Sequence, residues 1–183
     1  ALAIIRIGDL LERSQGKVSL LGGWSDRPFA LPLGDVAGGG SAVARVTDGG
    51  NCFNLNGLAQ GLPGQQGVLI GNAVEAAHFA KLMRLLGIPG QVAQQVATAA
   101  SDWIDSDQNP QGGGAEDPVY LARDPPYRTG GALIADVSEL RMVSGVTPEI
   151  FAQLRPWLCT LPEAKPTIVN INTLEPEQAP LVA

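Results

Sequence analysis

Between residues 102 and 124 the chain gathers six carboxylates, Asp102, Asp105, Asp107, Glu116, Asp117 and Asp124, against a single base, Arg123. Packing alone does not explain such a cluster. The acids must repel one another, stay solvated, or surround a cation. Counting from Asp105, oxygen-bearing side chains fall at offsets one (Asp105), three (Asp107), five (Asn109) and twelve (Glu116), the arithmetic of a calcium-binding loop. Three side chains in a tight turn can point inward while Glu116 returns to close the cage. Offset six departs from the template: it is Pro110 where a sharp turn needs glycine, and the glycines follow as Gly112, Gly113 and Gly114. The spacing therefore predicts a calcium loop that is not an EF-hand. The competing reading is an exposed acidic loop that binds nothing.

A chain of 183 residues with 45% hydrophobic content can bury a core as one domain or two small ones, and its 23 glycines and 14 prolines require many turns between regular elements. The net charge of -6 argues against a nucleic-acid or anionic-membrane surface. No run of eighteen apolar residues occurs. Residues 2–13 begin inside a helical pattern with no capping residue ahead of them, so more helix is expected upstream. Cys52 and Cys159 lack the spacing of zinc or redox motifs. They are either two buried thiols or, in an oxidising compartment, a bridge.

After the opening helix, Lys17 to Leu21 and Ala42 to Val46 have strand composition, separated by a Gly- and Pro-rich stretch from Gly22 to Gly40. Residues 43–47, a turn at Asp48-Gly49-Gly50 and residues 51–56 predict a hairpin. Beyond Gly57 the period becomes helical, with Asn72 as N-cap, Glu75 in capping-box position, Phe79, Leu82, Met83 and Leu86 on one face, and Gly87 as stop. A second helix from about Pro89 carries Val92, Val96, Ala99 and Trp103 on one side and delivers Asp102 and Asp105 at its C-terminal end. Carboxylates there meet the negative end of the helix dipole, a further reason to expect a cation. A short helix through residues 138–143 ends at Gly145, and Thr147-Pro148-Glu149 opens another with Ile150, Phe151 and Leu154 on its apolar face. Thr167 to Thr173 alternates like a strand returning to the first sheet.

Read together, Asn51-Cys52-Phe53-Asn54-Leu55-Asn56, Asp102-Trp103-Ile104-Asp105-Ser106-Asp107, Gly114-Ala115-Glu116-Asp117 with Tyr120, Pro126-Tyr127-Arg128, Ser138-Glu139-Leu140-Arg141 and Asn170-Ile171-Asn172-Thr173 resemble the minor pseudopilins of the K class in type II secretion systems. The resemblance implies an α+β fold: a pilin-like N-terminal helix packed on a small antiparallel sheet, with a large α-helical domain inserted between strands. The expected division is residues 1–56 and 161–183 for the pilin-like part and 57–160 for the insertion. It also implies one or two calcium ions, with Asp105, Asp107, Asn109, Glu116 and Asp117 as the ligand set. The implied function is binding, not catalysis, in a hetero-oligomeric complex with other minor pseudopilins at the tip of a pseudopilus. The location is the periplasm, with anchoring in the inner membrane through an N-terminal helix whose membrane-inserted start this chain does not carry. That oxidising setting implies a Cys52–Cys159 disulfide.

Two other functions fit less well. Residues 140–147 look like the turn of a helix-hairpin-helix nucleic-acid module, but Arg141 is the only base in the turn. Paired acids such as Asp102 and Glu116 could serve glycoside hydrolysis, yet aromatics are only 5% of the chain, few for a sugar-binding cleft. His78, the only histidine, sits in a helical pattern beside Glu75 and Arg84, where no triad or zinc site assembles. Trp24, Trp103 and Trp157 are expected in packing roles.

Overall fold

A run of strong helix formers between an asparagine and a glycine produces helix α1, Ala73–Leu85. Asn72 caps it by accepting a hydrogen bond from Glu75 N at 3.3 Å. The reciprocal half of a capping box is absent because Asn72 N already donates to Leu58 O at 2.8 Å, and Glu75 turns instead to His78 Nδ1 at 2.9 Å. At the other end Gly87 adopts φ 91°, and the bonds Gly87 N to Arg84 O and Ile88 N to Met83 O close the last turn as a Schellman motif. Helix α2, Gly90–Ile104, follows and presents Ala93, Val96, Ala97, Ala99, Ala100 and Trp103 to the interior. Its alanines leave room for the larger Phe79, Leu82 and Met83 of α1 in the same core.

The computed structural model describes residues 8, 12, 15, 17–20, 28–32, 40–46 and 48–183. They fall into two compact units, Ala1–Asn51 with Val169–Pro176, and Cys52–Ile168 with Glu177–Ala183. Mixed helices and small sheets make this an α+β chain. No helix among the described residues is long and apolar enough to cross a membrane.

In the first unit, β1 (Phe29–Pro32) pairs antiparallel with β2 (Ser41–Ala44), so part of the Gly- and Pro-rich stretch is itself a strand. Gly8 and Glu12 are helical; the rest of the predicted opening helix, 2–13, lies outside the described residues, as do Leu21, Thr47 and Trp24. Residues 17–20 and 167–173 are not strands. Asparagine side chains supply the missing pairing there. Asn170 donates to Val18 O, its N–H is taken by Asn51 Oδ1, and its own Oδ1 accepts from Asn172 N to form a local turn. Leu20 N adds a backbone bond to Asn172 O at 3.0 Å.

In the larger unit the predicted hairpin of residues 43–56 does not form. Instead β3 (Phe53–Asn54) pairs parallel with β6 (Leu158–Cys159), locked by the Cys52–Cys159 disulfide with Cα atoms 5.7 Å apart. A second hairpin, β4 (Ala59–Gly61) with β5 (Leu69–Gly71), precedes α1, where the sequence had pointed to helix. Three-residue strands are too short to show a period of two. The Asn-x-Asn pattern around β3 explains the long-range pairing. Asn54 donates to Glu163 O and Lys165 O and accepts from Leu161 N. Asn56, 1% exposed, donates to Ile134 O and Leu161 O and accepts from Ile134 N at 2.7 Å.

Asn56→Ala would leave the buried N–H and C=O of Ile134 and the partly buried Leu161 O unpaired, each costing up to about 1–3 kcal/mol less whatever relaxation and water recover. The expected loss is about 3 kcal/mol, read by urea unfolding. A loss below about 1 kcal/mol would show that the clamp contributes little.

Candidate metal centre

Helix α2 carries Asp102 on its last turn and is capped by Asp105, whose N–H still bonds Ser101 O at 3.1 Å. The spacing of three puts both carboxylates on one helix face. The chain then leaves the helix, and Ser106 fastens it to the free edge of β5: Ser106 N donates to Leu69 O and Leu69 N donates to Ser106 Oγ. From there the loop turns back so that Glu116 stands ahead of helix α3, Asp117–Leu121.

Asp102 organises that return. Its carboxylate accepts from Gln111 N at 3.2 Å and from Ala115 N at 2.9 Å, drawing both ends of the glycine run onto α2. Gly114 is required here, because a Cβ at that position would overlap Asp102 Oδ2. Gly114→Ala should therefore cost about 1–3 kcal/mol, the usual range for forced overpacking. A melting temperature equal to that of the unaltered protein would show that the loop accommodates the methyl group.

The result is a buried triad. One carboxylate oxygen from each of Asp102, Asp105 and Glu116 lies within 4.8 Å of the others, and the residues are 0%, 4% and 1% exposed. Asp105 Oδ1 and both oxygens of Glu116 have no hydrogen-bond partner among the described residues. Burial pushes the Glu116 carboxyl up to about 8, reinforced by the charges of Asp105, Asp102, Asp107 and Asp117. Burial likewise lifts Asp105 to about 7, with Asp107 and Asp102 adding to it. Asp102 is raised by burial too, and its bonds from Gln111 and Ala115 work in the other direction.

These observations fit a divalent cation. Oxygens on one calcium ion sit about 2.3–2.6 Å from it, so two of them can be no more than about 5.2 Å apart, which the triad satisfies. A cation would also supply the partner that the three orphaned oxygens lack. An all-oxygen donor set selects a hard cation over zinc or copper.

The remaining expected ligands are placed differently. Asp107 and Asn109 are exposed, and Asp107 Oδ1 accepts from Asn109 N at 2.7 Å in a local turn. Asp117 is buried but engaged: Oδ1 accepts from Thr129 N at 3.0 Å and Thr129 Oγ1 at 3.1 Å, and Oδ2 pairs with Arg128. The Thr129 N–H, ahead of the Arg128 charge, holds its carboxyl below the usual range. The structure thus brings Asp105 and Glu116 together and adds Asp102, which the loop arithmetic omits because it begins at Asp105. The signal for Asp102 was its helical spacing from Asp105.

Trp103, next to Asp102 in the chain, belongs to an aromatic cluster. Trp103 meets Tyr120 edge to face at 5.2 Å and Tyr127 at 6.2 Å, and the Arg123 guanidinium lies 5.0 Å from the Tyr120 ring and 5.5 Å from that of Tyr127. The Arg123 charge therefore serves the two tyrosines, and Tyr127 OH donates to Met142 O. His78, its side chain 61% exposed, pairs only with Glu75 among the ion pairs of the described residues.

Residues 51–163 match the protein-family model described as Type II secretion system (T2SS), protein K. The type II secretion system protein K of Pectobacterium carotovorum subsp. carotovorum is 36% identical over 160 residues, 87% of this chain and 47% of that protein. That of Klebsiella pneumoniae is 35% identical over 171 residues, 93% of this chain and 50% of that protein. The chain spans about half the length of these curated relatives. Among solved structures it is similar to a chain from the crystal structure of the GspK-GspI-GspJ complex from the enterotoxigenic Escherichia coli type 2 secretion system. The TM-score is 0.77 at 29% identity, covering 94% of this chain and 58% of that one.

Proposed function

The chain belongs to the type II secretion system protein K family, and from that premise we propose that it is part of a minor pseudopilin, a binding protein with no catalytic role. In this reading it joins other minor pseudopilins at the tip of a periplasmic pseudopilus on a protein anchored in the inner membrane. The observation that carries the reading is the likeness, across 94% of this chain, to a structure of GspK with GspI and GspJ. The pilin-like part would comprise residues 1–56 and 161–183 and the inserted helical domain 57–160, although the compact units draw the boundaries at Asn51, Val169 and Pro176 and so place 52–56, 161–168 and 177–183 with the helical unit. The helix-hairpin-helix alternative is disfavoured by the turn itself. Gly145, at φ 85°, is placed so that a Cβ would come 3.1 Å from Val96 Cγ2, which makes the turn a packing element of α2.

The acidic centre would hold one or two calcium ions through Asp102, Asp105 and Glu116, with Asp107, Asn109 and Asp117 as the outer members of the ligand set. Calcium would supply charge neutralisation and a cross-link. The loop from Asp105 to Asp117 is glycine-rich and contributes few apolar side chains, so its ordering entropy needs such an offset. The assembly reading is tested by co-expressing the chain with the I-class and J-class minor pseudopilins of the same organism. Co-elution of all three as one species is expected, and separate elution of each would overturn it.

A further inference from the structure

The 3-10 helix Val137–Met142 and helix α4, Pro148–Leu154, diverge from the Gly145 turn and flank a cleft of about 850 Å³. Its floor is apolar, formed by Val137 and Phe151, both half-buried, and by Leu158. Arg141 and Arg155 line its sides, both exposed. In an acidic chain with only twelve basic residues, two guanidinium groups at one concavity are a local reversal of sign.

Neither guanidinium has a carboxylate at ion-pair distance among the described residues, whose ion pairs are His78 with Glu75, Arg128 with Asp117 and Lys165 with Glu163. Arg141 instead lies 5.8 Å from the Phe151 ring centre, which fixes it against the floor. Asp136 also lines the cleft and feels the Arg155 charge, but its Oδ1 is committed to capping Ser138 N at 2.8 Å. Planar guanidinium groups beside an aromatic floor match an extended segment that offers carboxylates and apolar side chains alternately.

We propose that this cleft docks an acidic, apolar peptide segment of a partner protein, its carboxylates on Arg141 and Arg155 and its apolar side chains on Val137, Phe151 and Leu158. A nucleic acid fits the same surface poorly, since two arginines beside Asp136, in a chain of net charge -6, cannot neutralise a run of phosphates. The proposal stands apart from the metal centre and from the assembly reading.

The test uses the whole chain with a fluorescein-labelled heptapeptide alternating aspartate and leucine, read by fluorescence anisotropy. Saturable binding is expected, weakened about tenfold when asparagine replaces aspartate in the peptide and about tenfold in the variant Arg141→Glu with Arg155→Glu. Both arginines are exposed, so the fold should tolerate these changes. A second variant, Ala152→Tyr, fills the cleft from α4 without altering either guanidinium, and should also abolish binding. The proposal is overturned if nothing saturates up to about 1 mM peptide. Equal affinity for the asparagine peptide, or displacement by a DNA duplex at lower concentration than by unlabelled peptide, would overturn it too.

Discussion

Replacing Cys52 and Cys159 together by alanine is expected to lower stability by about 4 to 5 kcal/mol, the chain-entropy value for opening a loop of this length. The two residues stand 107 apart in sequence, and the bridge sits on a parallel pair only two residues long on each side. Such a pair has too few hydrogen bonds to persist by itself. The Asn54 and Asn56 side chains act on the same joint, so once the bridge is gone they must alone hold residues 161–165 in place. The melting temperature should fall by about 10 °C or more. A fall of less than about 3 °C would mean that the asparagine clamp and the core around Phe53 and Phe79, stacked at 4.9 Å, already determine the pairing.

Calcium at about a hundred times its dissociation constant should stabilise the protein by about 2.7 kcal/mol and raise the melting temperature by about 5 to 10 °C. The pH dependence should change sign with the ion. In chelator, Asp105 and Glu116 titrate near 7 and 8 in the folded state but near ordinary carboxylate values when unfolded. Across the range from about pH 4 to pH 8 the folded state therefore binds more protons, and stability falls as pH rises. Below the unfolded values both states are protonated, the stability lost at higher pH is fully retained, and these groups add no further pH dependence. With calcium present the carboxylates are held ionised, protons compete with the ion, and stability should instead rise over the same range. Thermal melts at pH 5 and pH 8, with calcium and with chelator, separate the two cases. Parallel pH profiles in the two buffers would show that the ion does not act at this cluster.

Helices were the most legible part of the fold, because α1 and α2 combine a clear apolar period with terminal signals at Asn72, Gly87 and Pro89. The small sheets were not. Strands β3 and β6 are two residues each, and their partner choice depends on a disulfide and on asparagine side chains acting across more than a hundred residues, which no local period encodes. Thr167 to Thr173 alternates as a strand would, yet Ile168 and Ile171 are 93% and 73% exposed and Asn170 Oδ1 accepts from Asn172 N in a local turn. At the metal centre, composition alone revealed the acidic loop. Which acids converge depended on Gly114 making room for Asp102 and on Thr129 and Arg128 engaging Asp117, contacts formed only after the chain turns back.

Isothermal titration of calcium into protein stripped with chelator tests the buried triad most directly, with Glu116→Gln as the control. Saturable uptake of one or two equivalents is expected, with the triad site lost in the variant, since its amide removes a charge from a pair of oxygens that no hydrogen bond among the described residues satisfies. Absence of saturable uptake, or uptake unchanged by Glu116→Gln, would contradict a cation at Asp102, Asp105 and Glu116.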